Sequence, residues 1–200
     1  MIKNIIFDFG DIFINLDKQV VFKAMQNSGI QEFLPKYHAL NADFEIGKIS
    51  PQDFVAQLQP DFPHLSPKEI IDIWNSMLLD FPDYRLEFIE NLAKENNYRL
   101  FLLSNTNSLH IPHVELIMGT KRFERFKNCF EQFYLSHEIQ LRKPNEEIYQ
   151  FVLEQNDLQA ENTFFIDDTK ENTDAAGKMG IKTWNLLVGK EDIVQLKERI

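Results

Sequence analysis

The topology of this chain follows from its first apolar stretch, Asn4-Ile5-Ile6-Phe7-Asp8-Phe9-Gly10. A short, continuous apolar run that ends in an acid and a glycine is typical of a strand buried on both faces of a parallel sheet. Four later runs share this design and predict further strands, the last of them a more polar edge strand: Arg99–Asn105, Phe133–Ser136, Thr163–Asp168 and Lys182–Leu187. The sequence therefore predicts a five-stranded sheet.

Helical patterns lie between these runs. Three segments place apolar residues on one helical face: Arg85–Glu95, Glu146–Glu154 and Thr173–Met179. Strands that alternate with helices are joined by right-handed crossovers, which make the strands parallel. The predicted fold is α/β, a Rossmann-like doubly wound parallel sheet with helices on both faces.

One region departs from this alternation. Between residues 17 and 82 there is no strand-like run, and four helical patterns follow one another: Val20–Asn27, Gln31–Asn41, Pro51–Leu58 and Pro67–Leu79. The last two begin with Ser-Pro, which is typical of a serine N-cap followed by proline at the first helical position. We predict a core domain formed by residues 1–16 and 83–200, with a small α-helical cap domain inserted at residues 17–82.

Composition narrows the classes of partner. The 200 residues carry 21 Lys plus Arg against 31 Asp plus Glu, a net charge of −10, which disfavours binding to nucleic acid. The single cysteine, Cys129, fits a reducing compartment, and no run approaches the roughly 18 apolar residues of a membrane span. We expect a cytoplasmic protein without a membrane or nucleic-acid partner, either a monomer or a weak homodimer. The 18 Phe residues are scattered and are interpreted as core.

Polar side chains follow the predicted strands. The carboxyl ends of parallel strands share one edge of a sheet, and ligands bind outside that edge. Carboxylates crowded there raise each other's pKa unless a cation lies between them, and oxygen ligands alone favour Mg²⁺. The candidate residues at this edge are Asp8, Ser104, Asn105, Lys143, Asp167 and Asp168.

The stretch Ser104–Asn107 has the form of an anion site. It offers a hydroxyl and backbone N–H groups between a buried strand and a helix, although a polar turn that caps the helix would have the same sequence. Lys143 precedes Pro144, which suits the first turn of the next helix and would point the ammonium inward. A cation, a lysine and an anion site around Asp8 predict phosphoryl transfer with Asp8 as the nucleophile.

Four motifs, taken together, resemble the haloacid dehalogenase (HAD) superfamily. They are Phe7–Gly10, Leu103–Asn107, Arg142–Pro144 and Phe165–Asp168, in the order that the superfamily has. The helical insert is similar to the C1 cap of that superfamily. Within it, the Ser-Asn-Thr-Asn motif makes the chain most similar to the bacterial α-D-glucose-1-phosphate phosphatase group. The resemblance implies a small phosphorylated metabolite as substrate, such as a hexose 1-phosphate.

The resemblance also implies a mechanism and a role for each residue of the phosphate site. Asp8 attacks phosphorus and forms an aspartyl phosphate. Ser104, Asn105 and Lys143 hold the phosphoryl oxygens.

For the metal site, the resemblance implies Mg²⁺ bound by Asp8, the backbone carbonyl of Gly10 and Asp168. Asp167 supports the ion directly or through water, and Asn172 orients the groups around the ion that include Asp167.

Gly10 departs from the superfamily pattern. Most phosphatases of the superfamily have a second Asp two residues after the nucleophile, which protonates the leaving oxygen, and Gly10 stands there in this chain. General acid catalysis is worth roughly 10²- to 10⁴-fold. Asp11 is a poor substitute because in an extended segment it points the opposite way. We therefore expect a preference for phosphates with an acidic leaving group, and for hexose 1-phosphates over hexose 6-phosphates.

Two alternatives stay open. A metal-independent 2-haloacid dehalogenase also uses an Asp nucleophile without a second Asp, but the Asp167-Asp168 pair argues against it. A non-catalytic HAD-like binding module would explain Gly10, although Asp8 and Lys143 are both present.

A few aromatic and polar residues outside the motifs are further candidates. In the insert, Phe44 and Trp74 are interpreted as cap core, while Glu45 is a candidate substrate contact. A helix carrying His110 and His113 is expected to be interrupted by Pro112, which makes a zinc site improbable. A contact between His110 and substrate remains open.

Overall fold

The computed structural model describes residues 1–27 and 35–200. It contains a five-stranded sheet in the order β3-β2-β1-β4-β5, and every neighbouring pair is parallel. The predicted α/β fold is confirmed, and β5 lies at an edge as expected. The strands are β1 (Asn4–Phe7), β2 (Arg99–Ser104), β3 (Gln132–Leu135), β4 (Thr163–Asp167) and β5 (Lys182–Asn185).

The central strand is buried on both faces. Ile5 and Phe7 belong to one apolar cluster, whereas Ile6 between them belongs to a second cluster on the opposite face. Successive side chains of a strand point to opposite faces, so a strand covered by helices on both sides needs apolar residues at every position. This explains why β1 is a continuous apolar run. Many of the phenylalanines pack in the first cluster, as their scattered spacing predicted.

Helices without sheet pairing lie between β1 and β2, in the region of the predicted cap. Phe44, Phe54 and Ile70 lie in an apolar core of their own there, separate from the two clusters on the sheet. Ser50 and Ser66 cap two of these helices through their hydroxyls, as predicted. Residues 31–34 of the predicted second helix lie outside the described residues, and the fourth helix ends at Asn75 rather than at Leu79. The helices are α1 (Lys18–Asn27), α2 (Pro35–Glu45), α3 (Pro51–Leu58) and α4 (Pro67–Asn75). The domain boundaries at 16/17 and 82/83 stay predictions.

The remaining helices flank the sheet. They are α5 (Asp83–Glu95), α6 (His110–Met118), α7 (Thr120–Lys127), α8 (Ser136–Ile139), α9 (Glu146–Gln155) and α10 (Lys170–Lys178). Helix α10 begins three residues before the predicted Thr173. Within the described part of the chain, no helix combines the length and the apolar character needed to span a bilayer.

Two expectations about prolines were wrong. Pro112 does not interrupt a helix, because it lies in the first turn of α6, where the missing N–H has no intrahelical partner to lose. Pro144 does not open the next helix: α9 begins at Glu146 with Asn145 as its N-cap, and the Lys143–Pro144 peptide bond is cis. Proline is therefore compatible with the start of α6 and with the loop before α9.

Candidate active site

The carboxyl ends of β1 and β4 lie side by side where the strand order reverses. β1 pairs with β2 on one side and with β4 on the other, so connections leave the centre in opposite directions. Such a reversal opens a crevice outside the strand ends. Asp8 follows β1, its backbone N–H donates to the Ile166 carbonyl at 2.9 Å, and Asp167 and Asp168 end and follow β4. The topology thus brings the three carboxylates together.

Lys143 is buried between two of these carboxylates. Its Nζ donates to Asp8 Oδ1 at 2.7 Å, to Asp167 Oδ2 at 2.7 Å and to the Leu103 carbonyl at 2.9 Å. The side chain is only 1% exposed. Three acceptors satisfy the three N–H donors of an ammonium. Burial alone would lower the pKa of Lys143, but Asp167 and Asp8 outweigh it and raise that pKa, so the lysine stays charged.

Asn105 fixes the backbone of that lysine. Its amide Nδ2 donates to the Lys143 carbonyl at 2.9 Å, and its Oδ1 accepts from the Lys143 N–H at 2.9 Å. The side chain of Asn105 was expected to hold phosphoryl oxygens. Both ends of the amide bond the Lys143 backbone, so the side chain positions the lysine. Asn105 also lines the cleft, and its contact with phosphoryl oxygens stays a prediction.

Asp167 is held in place from several sides. Its Oδ1 accepts from the Thr169 N–H at 2.8 Å and from Asn172 Nδ2 at 3.0 Å, and the residue is fully buried. Asn172 is in turn bound through its carbonyl by the Tyr149 hydroxyl at 2.8 Å. With Lys143 on Oδ2, both oxygens of Asp167 have protein donors. Asn172 thus has the orienting contact expected of it.

Sequence reasoning missed Lys18, the first residue of α1. Its Nζ lies 2.7 Å from Asp168 Oδ2 and 2.9 Å from Asp11 Oδ2. Burial tends to lower the pKa of Lys18, but the hydrogen bonds to Asp168 and Asp11 outweigh it and raise that pKa. No periodicity or motif marks this lysine, because its partner Asp168 is 150 residues away.

The expectation that Asp11 lies in an extended segment was wrong. Its φ of 56° is left-handed, and its Oδ1 accepts from the Leu16 N–H at 3.1 Å. The chain therefore turns directly after Gly10, and the Asp11 carboxylate binds the backbone of that turn together with Lys18. A Cβ atom at Gly10 would lie 2.8 Å from Leu16 Cδ1, so the turn packs closely on the glycine.

The cluster of carboxylates leaves negative charge uncompensated. Burial, together with the charges of Asp167 and Asp168, raises the pKa of Asp8 to about 7, although Lys143 opposes the shift. One carboxylate oxygen each from Asp8, Asp167 and Asp168 lies within 4.8 Å of the others. An all-oxygen donor set of this kind fits a hard divalent cation such as Mg²⁺. Asp168 and Asp8 have fewer protein donors than Asp167 and are the freer ligands.

The predicted anion turn also serves as a helix cap. Asn107 Oδ1 accepts from the Leu109 and His110 N–H groups, each at 3.0 Å, at the start of α6. The capping alternative for this stretch is therefore present in the structure. Ser104 and Thr106 both line the cleft beside Asp8.

The cleft above the strand ends has a volume of about 460 Å³ and lies between the sheet and the helices of the insert. Glu45 on α2 pairs with Arg142 at 2.8 Å across it and accepts from Asn41 at 3.0 Å. Gly47 adopts a φ of 66° against the backbone of His137. These contacts dock α2 on the core.

The aromatic residues of the insert have two different roles. Phe44 is fully buried and stacks on Phe54 with ring centroids 4.3 Å apart, so its interpretation as cap core is confirmed. Trp74 also contacts Phe54, but it lines the cleft as well. Its interpretation as core alone was therefore incomplete.

Comparison with known proteins decides the family. A family model described as haloacid dehalogenase-like hydrolase matches residues 5–186. The chain belongs to this family. The resemblance inferred from the four motifs is thus confirmed, and the hydrolase fold agrees with the observed sheet.

Several relatives of this HAD-like hydrolase cover nearly all of it. A D-ribitol-5-phosphate phosphatase of Bacteroides thetaiotaomicron is 27% identical over 190 residues, which are 92% of this chain and 91% of that protein. A wild-type HAD family enzyme of the same organism, solved in complex with magnesium and inorganic phosphate, is 32% identical with a TM-score of 0.82, covering 96% of this chain and 97% of that one. A predicted HAD-like hydrolase of Porphyromonas gingivalis is 28% identical with a TM-score of 0.82, covering 100% and 98%.

A dehalogenase structure shares only the fold with this HAD-like hydrolase. It is 16% identical with a TM-score of 0.59, covering 98% of this chain and 89% of that one. The similarity to the magnesium-bound enzyme is higher in both sequence and structure.

Proposed function

We propose that this HAD-like hydrolase is a Mg²⁺-dependent phosphatase that acts on a small phosphorylated sugar or polyol. The observation that carries the proposal is the buried contact between Lys143 and Asp8, with Asp167 and Asp168 beside it. A carboxylate held next to an ammonium at the floor of a cleft is placed to attack phosphorus. Two relatives support the proposal: one is named as a phosphatase, and one was solved with magnesium and inorganic phosphate.

The proposed reaction proceeds in two displacements at phosphorus. An Asp8 carboxylate oxygen forms a bond to phosphorus while the bond to the substrate's ester oxygen breaks, which leaves an aspartyl phosphate and an alkoxide that takes a proton from water. Water then attacks the aspartyl phosphate, releases inorganic phosphate and regenerates Asp8. Lys143 lowers the pKa of Asp8 against the effect of burial, holds the carboxylate in position and contributes positive charge next to the phosphoryl oxygens.

A bound Mg²⁺ would neutralise charge on the phosphoryl group. Asp8, Asp168 and the Gly10 carbonyl are the proposed ligands, with Asp167 supporting them. Asn172 and Thr169 hold Asp167 in the orientation that this role needs. Ser104 is the proposed side-chain contact for phosphate, and Lys143 is proposed to act on the phosphoryl oxygens through its charge, because its three N–H donors already have protein acceptors.

Two substrate types within this class have separate support. Gly10 offers no proton to the leaving oxygen, which favours an acidic leaving group such as the anomeric oxygen of a hexose 1-phosphate. The name of the Bacteroides relative points instead to a primary alkyl phosphate, D-ribitol 5-phosphate. We propose sugar and polyol phosphates as the class and leave the choice between the two to direct measurement.

The test is phosphate release from a panel of hexose 1-phosphates, hexose 6-phosphates and pentitol 5-phosphates. Each substrate is measured with Mg²⁺ and with EDTA, and p-nitrophenyl phosphate serves as an activated reference. We expect Mg²⁺-dependent release, with hexose 1-phosphates turned over faster than hexose 6-phosphates if the leaving group decides. Chloride release from 2-haloacids in EDTA, without phosphate release, would contradict the proposal and favour a dehalogenase.

A further inference from the structure

Two buried polar atoms lack a hydrogen-bond partner where α4 meets α6. They are the indole Nε1 of Trp74 and the imidazole Nε2 of His110, and neither has a partner among the described residues. A buried polar atom without a partner costs about 1–3 kcal/mol, so folded proteins rarely retain one unless a ligand or water completes it. Both residues line the cleft that also contains Asp8. The two side chains are therefore the candidates for a ligand contact in that cleft.

The two rings are held firmly in this arrangement. Their centroids lie 5.6 Å apart with planes at 21°, and Phe54 packs against the indole at 4.8 Å. The imidazole of His110 is only 9% exposed and hydrogen-bonds the backbone of Trp74. Because Nε2 has no partner, that bond is made by Nδ1.

The tautomer of His110 follows from these contacts. Burial lowers the pKa of His110 to about 4, although the bond to the Trp74 backbone opposes the shift, so the ring is neutral at pH 7. Nδ1 carries the proton that is donated to the backbone, and Nε2 is a hydrogen-bond acceptor. The indole Nε1 of Trp74 can only donate.

A donor and an acceptor on adjacent rings call for a group that can serve both. A hydroxyl accepts one hydrogen bond and donates another, whereas a phosphate or carboxylate oxygen has no proton for His110 and an ammonium has no lone pair for Trp74. We propose that Trp74 and His110 together bind a hydroxyl group of the substrate's carbon skeleton. This inference rests on the proposed phosphatase function, because it assumes that the phosphate lies at Asp8 in the same cleft.

This hydroxyl contact explains how the cleft would select its substrate class. Trp74 comes from the insert and His110 from the core, so a hydroxyl bound by both joins the two parts around the substrate. A site built to hydrogen-bond a hydroxyl discriminates strongly against an analogue that lacks one, because its own polar groups are then left unpaired. Polyol and sugar phosphates are therefore selected over alkyl phosphates of equal length.

The experiment compares ribitol 5-phosphate with pentyl phosphate, which has the same chain length without hydroxyls. We expect the wild-type enzyme to have a kcat/KM at least about tenfold higher for ribitol 5-phosphate. Trp74→Phe removes the indole Nε1, and His110→Phe removes Nε2 together with the Nδ1 that bonds the Trp74 backbone. Both variants keep an aromatic ring for the stack, and each should reduce this ratio towards one. His113→Phe, on the same helix but outside the cleft lining, should retain the wild-type ratio.

A binding measurement separates recognition from turnover. In an Asp8→Asn background, calorimetry gives the Kd for each intact ester, and His110→Phe should weaken ribitol 5-phosphate about tenfold more than pentyl phosphate. A wild-type enzyme that does not distinguish the two esters, or variants that keep the full preference, would overturn the inference and assign a trapped water to these atoms. Turnover of p-nitrophenyl phosphate by the wild type distinguishes such a result from failure of the phosphatase function itself.

Discussion

Lys143 Nζ lies 2.7 Å from Asp8 Oδ1, although 135 residues separate the two in the chain. The contact requires that β1 lie beside β2 and β4 and that the loop before α9 return over the strand ends. It also requires Asn105, whose amide holds the Lys143 backbone on both sides. The site is therefore a product of sheet topology, and its parts are interdependent.

Loss of Lys143 should cost both stability and activity. Lys143→Met leaves Asp8 and Asp167 buried without their ammonium partner, and breaking a buried ion pair from one side typically costs about 3–5 kcal/mol. Urea denaturation measures the loss. Lys170→Met is the matched control because Lys170 is 71% exposed in its pair with Asp174, and exposed pairs contribute less than about 1 kcal/mol. Equal effects of the two substitutions would contradict the buried role of Lys143.

The metal-free protein should become less stable as pH rises towards neutrality. The pKa of Asp8 is about 7 in the folded protein, with burial as the main cause, against about 4 for an unfolded carboxyl. Between these values the folded protein binds more protons than the unfolded chain, so the free energy of unfolding falls as pH rises.

Asp8→Asn removes this dependence. In EDTA, the Tm of Asp8→Asn relative to that of the wild type should be higher at pH 8 than at pH 4. A Tm difference between Asp8→Asn and wild type that does not change with pH would contradict the raised pKa.

Because Gly10 cannot donate a proton to the leaving oxygen, we expect the turnover rate to depend steeply on the leaving group. Wild-type rates should fall from aryl to alkyl phosphates as the pKa of the leaving group rises. Gly10→Asp would restore a proton donor, and only the flexible end of Leu16 must move to admit its Cβ. We expect alkyl phosphates to gain about tenfold or more relative to aryl phosphates. Gly10→Asn has the same size without an acidic proton, so an equal gain in both variants would refute the general-acid explanation.

Docking of α2 depends on Gly47. Its φ is 66°, and a Cβ at this position would collide with the His137 backbone carbonyl oxygen. Gly47→Ala should therefore lower the free energy of unfolding by about 1 kcal/mol or more and raise KM, because the cleft loses its docked wall. Gly177→Ala is the matched control: apart from its chain neighbours and the backbone of its own helix, no atom lies within 4 Å of a Cβ added there, and alanine within α10 should stabilise by about 0.5–1 kcal/mol. If both substitutions changed the free energy of unfolding in the same direction, the role of Gly47 in docking α2 would be contradicted.

The sheet and its functional edge could be predicted from local sequence. A strand buried on both faces must be continuously apolar, and parallel strands end at one edge, so Phe7-Asp8 and Ile166-Asp167 marked both the fold and the carboxylate cluster. The Ser-Pro starts of α3 and α4 were predicted because capping is a local property.

The contacts across the cleft could not be predicted in this way. Lys18 reaches Asp168 only because α1 packs on the core. Trp74 reaches His110 only because α4 packs against α6. Neither arrangement leaves a periodic pattern in the sequence. The turn at Asp11 was missed because non-glycine residues rarely adopt a left-handed φ, and here the contacts with Leu16 and Lys18 hold it.

The most direct test of the central claim is to trap phosphate on Asp8. The enzyme is quenched in acid while it turns over p-nitrophenyl phosphate with Mg²⁺, and its peptides are analysed by mass spectrometry. We predict a phosphoryl group on the peptide that contains Asp8, and neither this adduct nor phosphate release in Asp8→Asn. Undiminished phosphate release by Asp8→Asn, with no phosphorylated peptide in the wild type, would contradict the nucleophilic role of Asp8.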